Sequence, residues 1–318
     1  MIKQNTSENT FRRFSITDKL VIASLALSII TISIVASYSF TNAKKAILDR
    51  TFNQLTSVRV IRANLLDKFF SNCVKEIQMA RASSDIIEIA EKLNLNSEAD
   101  GKCNEDGIFL NHRPFIREIQ ENFYHRIYII GKNNQSCLLK NADSKQLSIV
   151  DTYENNHQVF ITSDIIITDL SMSLDSSHPI MTIAAPINNH EGLNLGMMFF
   201  EISSSYIDSI MLEKEPSNGL GISGESYLVG QDHYMRSSSR FVYPSMLTTK
   251  VNTQSGELAL QGEEGTAVID DYRGVKVLSS FGKLGIPYFN WVIISEIDYK
   301  EATIPIYRIR NEIIFISI

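Results

Sequence analysis

Residues Gly221–Phe241 read GISGESYLVGQDHYMRSSSRF, and this stretch decides how the second half of the chain folds. GESYLVG and MRSSSRF read as two strands joined around the polar turn QDHY. Nearby glycines do not make a phosphate loop, because no Lys-Ser/Thr follows GLGISG and the next element is a strand. Ser226 is not a nucleophile elbow either, because Leu228 stands where G-x-S-x-G needs glycine.

Downstream, GTAVIDDYRG (Gly265–Gly274), VKVLSSF (Val275–Phe281) and NWVIISEID (Asn290–Asp298) read as three more strands. Residues 216–300 are thus expected to form one module of about five strands. The adjacent Asp270 and Asp271 point to opposite faces of a strand, so a loop-edge role suits them better than a metal pair. Upstream, FYHRIYII, the turn GKNNQ and SCLLK read as a hairpin. VFITSDIIIT, PIMTIAAPI and LGMMFFEIS follow as strands, and Ser204–Leu212 as a short helix, giving a first module over 95–212. Each module opens with a hairpin and closes with three strands, a repeat of structure rather than of sequence.

The first glycine is Gly101 and the first proline Pro114, while ten of the 15 glycines fall between Gly219 and Gly285. Long helix first and sheet later is the expected order. Leu20–Phe40, LVIASLALSIITISIVASYSF, carries no charge. At 1.5 Å per residue, about 21 residues cover the roughly 30 Å of a bilayer core. The run exceeds the apolar core of a cleaved signal peptide, and the site near Val35-Ala36-Ser37 is poor, so an uncleaved anchor is expected over 20–41. Past it, Val58, Ile61, Leu65, Phe69, Cys73, Ile77 and Ala80 recur at helical spacing, predicting a long helix over 44–93. Ile313–Ile318, IIFISI, reads either as the start of a truncated second span within 303–318 or as an apolar tail on the domain.

The 318 residues are 44% hydrophobic and 21% charged, which suits a folded chain. A net charge of -6 argues against a nucleic-acid partner. Four basic residues precede the apolar run (Lys3, Arg12, Arg13, Lys19) and four follow it by Arg59, so charge does not set orientation. The three cysteines form no C-x-x-C pair and the six histidines are scattered, so no metal site, cofactor or catalytic residue is expected. A Cys103–Cys137 disulfide stays open, and Cys73 reads as a packed small hydrophobe.

An N-terminal span, a long helix, two tandem PAS-like modules and a further apolar segment together resemble a double Cache sensor domain. Such α+β domains are the extracytoplasmic input regions of bacterial chemoreceptors, sensor histidine kinases and some membrane cyclases and phosphatases. Gly221–Phe241 resembles the opening of the membrane-proximal module, and Asp270–Asp298 its last strands. HPIMTIAAPI and LGMMFFEIS resemble the closing strands of the membrane-distal module. The resemblance implies a cytoplasmic tail over 1–19, sheet modules outside the bacterial cytoplasmic (inner) membrane, and a homodimer along the long helix. It implies a non-enzymatic sensor whose effector lies beyond Ile318. The alternative is a truncated, non-signalling fragment or a partner-dependent membrane subunit. The Tyr/Arg/Trp/Asp pattern of amino-acid-binding members is missing around FYHRIYIIG, which disfavours amino acids and favours another small polar or anionic metabolite.

The residues themselves support a ligand site in the distal module. Tyr124, Arg126 and Tyr128 alternate along one strand, Asp164 and Asp169 flank another, and Tyr153 lies between. An arginine in an apolar strand needs a carboxylate, supplied by ligand or by protein, and Asp164 and Asp169 are candidates to pair with it or to hold a ligand amine. In the proximal module Tyr227, Arg236, Ser238 and Tyr272 are candidates for binding or for packing, Arg236 as an anchor of the hairpin.

Overall fold

The computed structural model describes residues 15–95, 123–133, 135–141, 159–162, 165–172, 179–212 and 219–316. The chain divides into two compact units: residues up to Arg50 together with Ala302 onward, and Thr51–Glu301.

In the first unit, helix α1 (Ile16–Arg81) begins with a capping box. Asp18 N–H donates to Ser15 Oγ (3.2 Å) and Ser15 N–H to Asp18 Oδ2 (3.0 Å), which occupies two donors the helix leaves open. Among the described residues, α1 is the one helix long and apolar enough to cross a membrane, and none of its most apolar stretch is buried by protein. Two hydroxyls of that stretch bond carbonyls inside the helix: Ser28 donates to the Ser24 carbonyl (3.0 Å) and Thr31 to that of Leu27 (2.8 Å). Helix α5 (Tyr299–Ile316) supplies the rest of this unit from Ala302.

The second unit holds two antiparallel sheets. The distal sheet runs β2 (Ser136–Asn141), β1 (Arg126–Gly131), β6 (Asn194–Ser203), β5 (Ile180–Asn188), β4 (Ile165–Thr168), β3 (Val159–Thr162). The proximal sheet runs β7 (Glu225–Val229), β10 (Val292–Asp298), β9 (Lys276–Lys283), β8 (Gly265–Asp270). One core lies under both: Leu66, Phe70, Cys73 and Ile77 of α1 are buried with Ile127, Phe200, Leu228 and Ile293 of the two sheets. Phe70 meets the edges of Phe289 (5.4 Å between ring centres) and Trp291 (6.1 Å), joining helix and proximal sheet.

Several expectations need correction. VFITSDIIIT is two strands, since β3 pairs with β4 and Thr162 stands opposite Ile165. The proximal sheet has four strands, because MRSSSRF is an irregular segment tied to β7 by the single bridge Val229–Met235. Ser238 bonds Asp208, and Ser239 Oγ and Arg240 N–H bond Glu225, while Ser237 Oγ accepts from Leu228 N–H of β7 (3.0 Å). A short helix α4 (Gln254–Leu260), capped by Thr253, covers β9 and β10 and went unforeseen. The long helix stops at Arg81, and α2 (Ser84–Leu95) restarts after Ser83, whose Oγ accepts from Ile86 N–H (3.3 Å). α3 (Ser204–Met211) lies where the sequence placed a short helix.

The buried face of α1 also differs in its first half. Leu55, Arg59, Arg62 and Leu66 are buried, while Ile61 and Leu65 are exposed. Two arginines take apolar positions because residues packed against the helix offer them acceptors. Arg59 Nε donates to Ser280 Oγ (3.1 Å) and its guanidinium pairs with Glu264, whereas Arg62 bonds the Met211 carbonyl. Gly282 makes room: a Cβ there would stand 2.3 Å from Arg59 Nη1.

Candidate ligand-binding site

The distal sheet has one face on α1 and α2 and another turned away from them. Alternation places Arg126, Tyr128 and Ile130 of β1 on the far face, opposite Glu201, Phe199 and Met197 of β6. Ala184 and Thr182 of β5 continue that face beside Phe199 and Glu201. Arg126 Nε donates to Glu201 Oε2 at 2.6 Å, with both side chains buried. Among the described residues the two terminal nitrogens of Arg126 have no hydrogen-bond partner. Tyr128 stacks on Phe199 with ring centres 4.8 Å apart. Burial, then the Glu201 carboxylate, push its phenol above the ordinary value, so it stays a neutral hydrogen-bond donor. This face therefore holds one cation, one anion and a phenol in an apolar setting that includes Ile166 and Leu138.

Other expected members of this site go elsewhere. Tyr124 precedes β1 and turns to the helix side, where its hydroxyl donates to Glu76 (2.7 Å) and its ring meets Phe200. Tyr153 and Asp164 lie outside the described residues. Asp169 does not pair with Arg126. It takes a forked contact from Arg236: Nε to Oδ1 at 3.0 Å, Nη2 to Oδ2 at 2.9 Å. Trp291 Nε1 donates to the same carboxylate at 3.1 Å. Arg126 meets Glu201 because they are cross-strand neighbours, while Asp169 sits past the end of β4.

Arg236 and Ser238 thus join the sheets. Arg236 also bonds Asp232 (2.9 Å) and the Tyr234 carbonyl (3.0 Å), over Gly230, where a Cβ would stand 2.4 Å from its guanidinium carbon. Burial alone would lower the Arg236 pKa, but Asp169 and Asp232 outweigh it and the net shift is upward. Ser238 donates to Asp208 of α3 twice, by its N–H and its hydroxyl, both at 2.6 Å. The two modules are clasped by an ion pair at one point and a double hydrogen bond at another.

Tyr227 and Tyr272 belong to a separate polar cluster inside the proximal module. Tyr227 donates to Glu296 Oε2 (2.9 Å) and Tyr272 to Glu225 Oε1 (2.6 Å), with the rings edge-on at 5.4 Å. Asp271 closes the β8–β9 turn, accepting from the N–H groups of Arg273 (2.8 Å) and Val275 (3.0 Å). Asp271 thus takes the loop-edge role expected of the pair, while Asp270 is the last residue of β8. Glu201, Glu225 and Glu296 had no place in the expected site, although Glu201 is a lone charge inside an apolar strand, the same signal that singled out Arg126.

Cys137 is disulfide-bonded, and Cys103 lies outside the described residues. Cys73 is free and buried, and burial pushes its thiol up to about 12, so it packs as a hydrophobe.

No protein-family model and no curated protein matches the sequence. Solved structures do match. The ligand-binding domain of Campylobacter jejuni chemoreceptor Tlp3 in complex with 4-methylisoleucine is 15% identical, covers 82% of this chain and 96% of its own, at a TM-score of 0.52. The same domain with L-valine gives 14% identity, 82% and 97% coverage and a TM-score of 0.52. The ligand-binding domain of Pseudomonas fluorescens chemoreceptor CtaA with L-alanine gives 15%, 79% and 98%, at 0.48. With its long helix, six-stranded distal sheet and four-stranded proximal sheet, the chain has the double Cache fold of chemoreceptor ligand-binding domains.

Proposed function

We propose that the chain is the extracytoplasmic small-molecule input region of a bacterial membrane receptor, anchored by the apolar part of α1 and without catalytic activity of its own. The observation that carries this is the far face of the distal sheet, where Arg126, Glu201 and Tyr128 are held in an apolar setting. Among the described residues Arg126 bonds Glu201 through Nε alone, and its terminal nitrogens suit a carboxylate. The preferred ligand is a small carboxylate-bearing metabolite. The Tlp3 domain is seen with L-valine and 4-methylisoleucine, which share that group. Glu201 adds a site for a ligand ammonium, so amino acids join the compounds to test despite the missing sequence pattern.

On this reading residues 95–212 are the distal module and 216–300 the proximal one, both outside the cytoplasmic membrane, with 1–19 inside. Ligand bound at the distal face shifts the balance between two arrangements of the Asp169–Arg236 and Asp208–Ser238 clasp. A ligand can do so only through unequal affinity for the two arrangements. The exposed Ile61 and Leu65 of α1 serve as a homodimer seam. Fusing the chain through α5 to the cytoplasmic half of a receptor of known output tests the proposal. A compound that changes output in the hybrid, and not in the same hybrid carrying Arg126→Lys, is the expected result. An output indifferent to a broad set of carboxylates and amino acids rejects it.

A further inference from the structure

Glu225 of β7 and Glu296 of β10 are direct cross-strand partners on the same face of the proximal sheet. Side chains so placed have Cβ atoms about 4.5–5.5 Å apart, and like charges there repel. Both are buried, at 2% and 1% exposure. Their partners are unequal. Glu225 accepts from Tyr272 (2.6 Å), Ser239 Oγ (3.0 Å) and Arg240 N–H (3.2 Å). Glu296 accepts from Tyr227 through Oε2, while Oε1 is buried without a partner.

Among the described residues no cationic side chain bonds either carboxyl group. Arg273 is bound to Asp271 (2.6 Å) and Asp298 (2.8 Å), and Arg240 bonds the Gly221 (3.3 Å) and Gly224 carbonyls. From the elements packed around Glu296 come Tyr227 on β7, Ser279 opposite it on β9, Asp271 and Tyr272 at the β8–β9 turn, and Ser255 of α4 behind Ser279. Glu257, the charged residue of α4, is exposed. The groups facing Glu296 are thus hydroxyls or further carboxylates.

We propose that Glu225 and Glu296 form a proton-binding site in the proximal module, with the proton held on Glu296, and that its release is a second, pH-borne input to the receptor. β10 passes straight into α5, so charge appearing at Glu296 arises two residues before the strand ends. Burial, which outweighs the Ser279 and Tyr227 contacts, pushes Glu296 up to about 8 and also raises Glu225. A carboxyl raised in the folded state stabilises the fold most below its unfolded value, near 4.5. That stability is lost as pH rises through about 8.

Infrared difference spectra of the full chain in detergent, taken from pH 6 to 9, test this. A protonated-carboxyl carbonyl band present at pH 6, lost by pH 9 and absent in Glu296→Gln is the expected result. Melting followed in parallel should fall by about 5 °C or more over that range in the wild type and stay nearly level in Glu296→Gln. Should that variant not fold, Glu225→Gln gives the second reading, with the band lost at lower pH than in the wild type because the neighbouring charge that favours the proton is gone. No pH-sensitive carboxyl band in the wild type, or a band and melting slope unchanged in both variants, overturns the proposal. The role as an input rests on the receptor reading; ligand screening at pH 6 is independent of these readings, so a failed ligand screen leaves the proton site itself standing.

Discussion

The two sheets solve the same problem in opposite ways. Each buries charge on the face turned from α1. In the distal sheet Glu201 stands opposite Arg126, and a cation balances an anion. In the proximal sheet Glu296 stands opposite Glu225, and two carboxyl groups share a face. A charge-balanced pair is stable only while both partners remain, whereas a like pair needs something from outside. The distal face is accordingly suited to a ligand that joins an existing pair, and the proximal face to a proton.

The contrast predicts where single substitutions hurt most. Glu201→Gln leaves Arg126 buried and unbalanced and should cost about 3–5 kcal/mol in denaturant unfolding of the full chain. Replacing both partners, Arg126→Leu with Glu201→Leu, should recover most of that loss. A double variant as unstable as the single one would break the comparison. Asp169→Asn comes next. It weakens a forked contact and the Trp291 bond, at about 1.5–3 kcal/mol, and should separate the melting of the two sheets into resolvable steps. Gly282→Ala pushes a methyl against Arg59 and should cost about 1–3 kcal/mol. The exposed pair Lys92–Glu88 sets the lower end, and Lys92→Ala should change stability by about 0.5 kcal/mol or less.

The strands were legible where apolar runs are bounded by turn formers, as in PIMTIAAPI and LGMMFFEIS, which became β5 and β6. Where backbone groups bond to side chains, the pattern misled. MRSSSRF has the alternation of a strand, yet Ser238 and Ser239 bind Asp208 and Glu225. Apolar spacing also failed on α1, because Arg59 and Arg62 are buried for their hydrogen bonds and no hydrophobic count registers that. In the site, Arg126 and Tyr128 were visible as polar groups in an apolar strand. The partner of Arg126 was not, because Glu201 lies 75 residues away and only the β1–β6 register brings it across. Asp169 was noticed for flanking a strand and offered as a partner for Arg126 or a ligand amine, yet it pairs with Arg236. Sequence spacing says nothing of which sheet a carboxylate past a strand end will face.

The most direct test is the melting temperature of the full chain against a panel of small carboxylates and amino acids, for the wild type, Arg126→Lys and Tyr272→Phe. At least one compound should raise the melting temperature of the wild type and of Tyr272→Phe, with its apparent affinity lowered about tenfold or more in Arg126→Lys. A rise that survives in full in Arg126→Lys, one lost instead in Tyr272→Phe, or no rise with any compound would contradict a ligand site on the distal sheet.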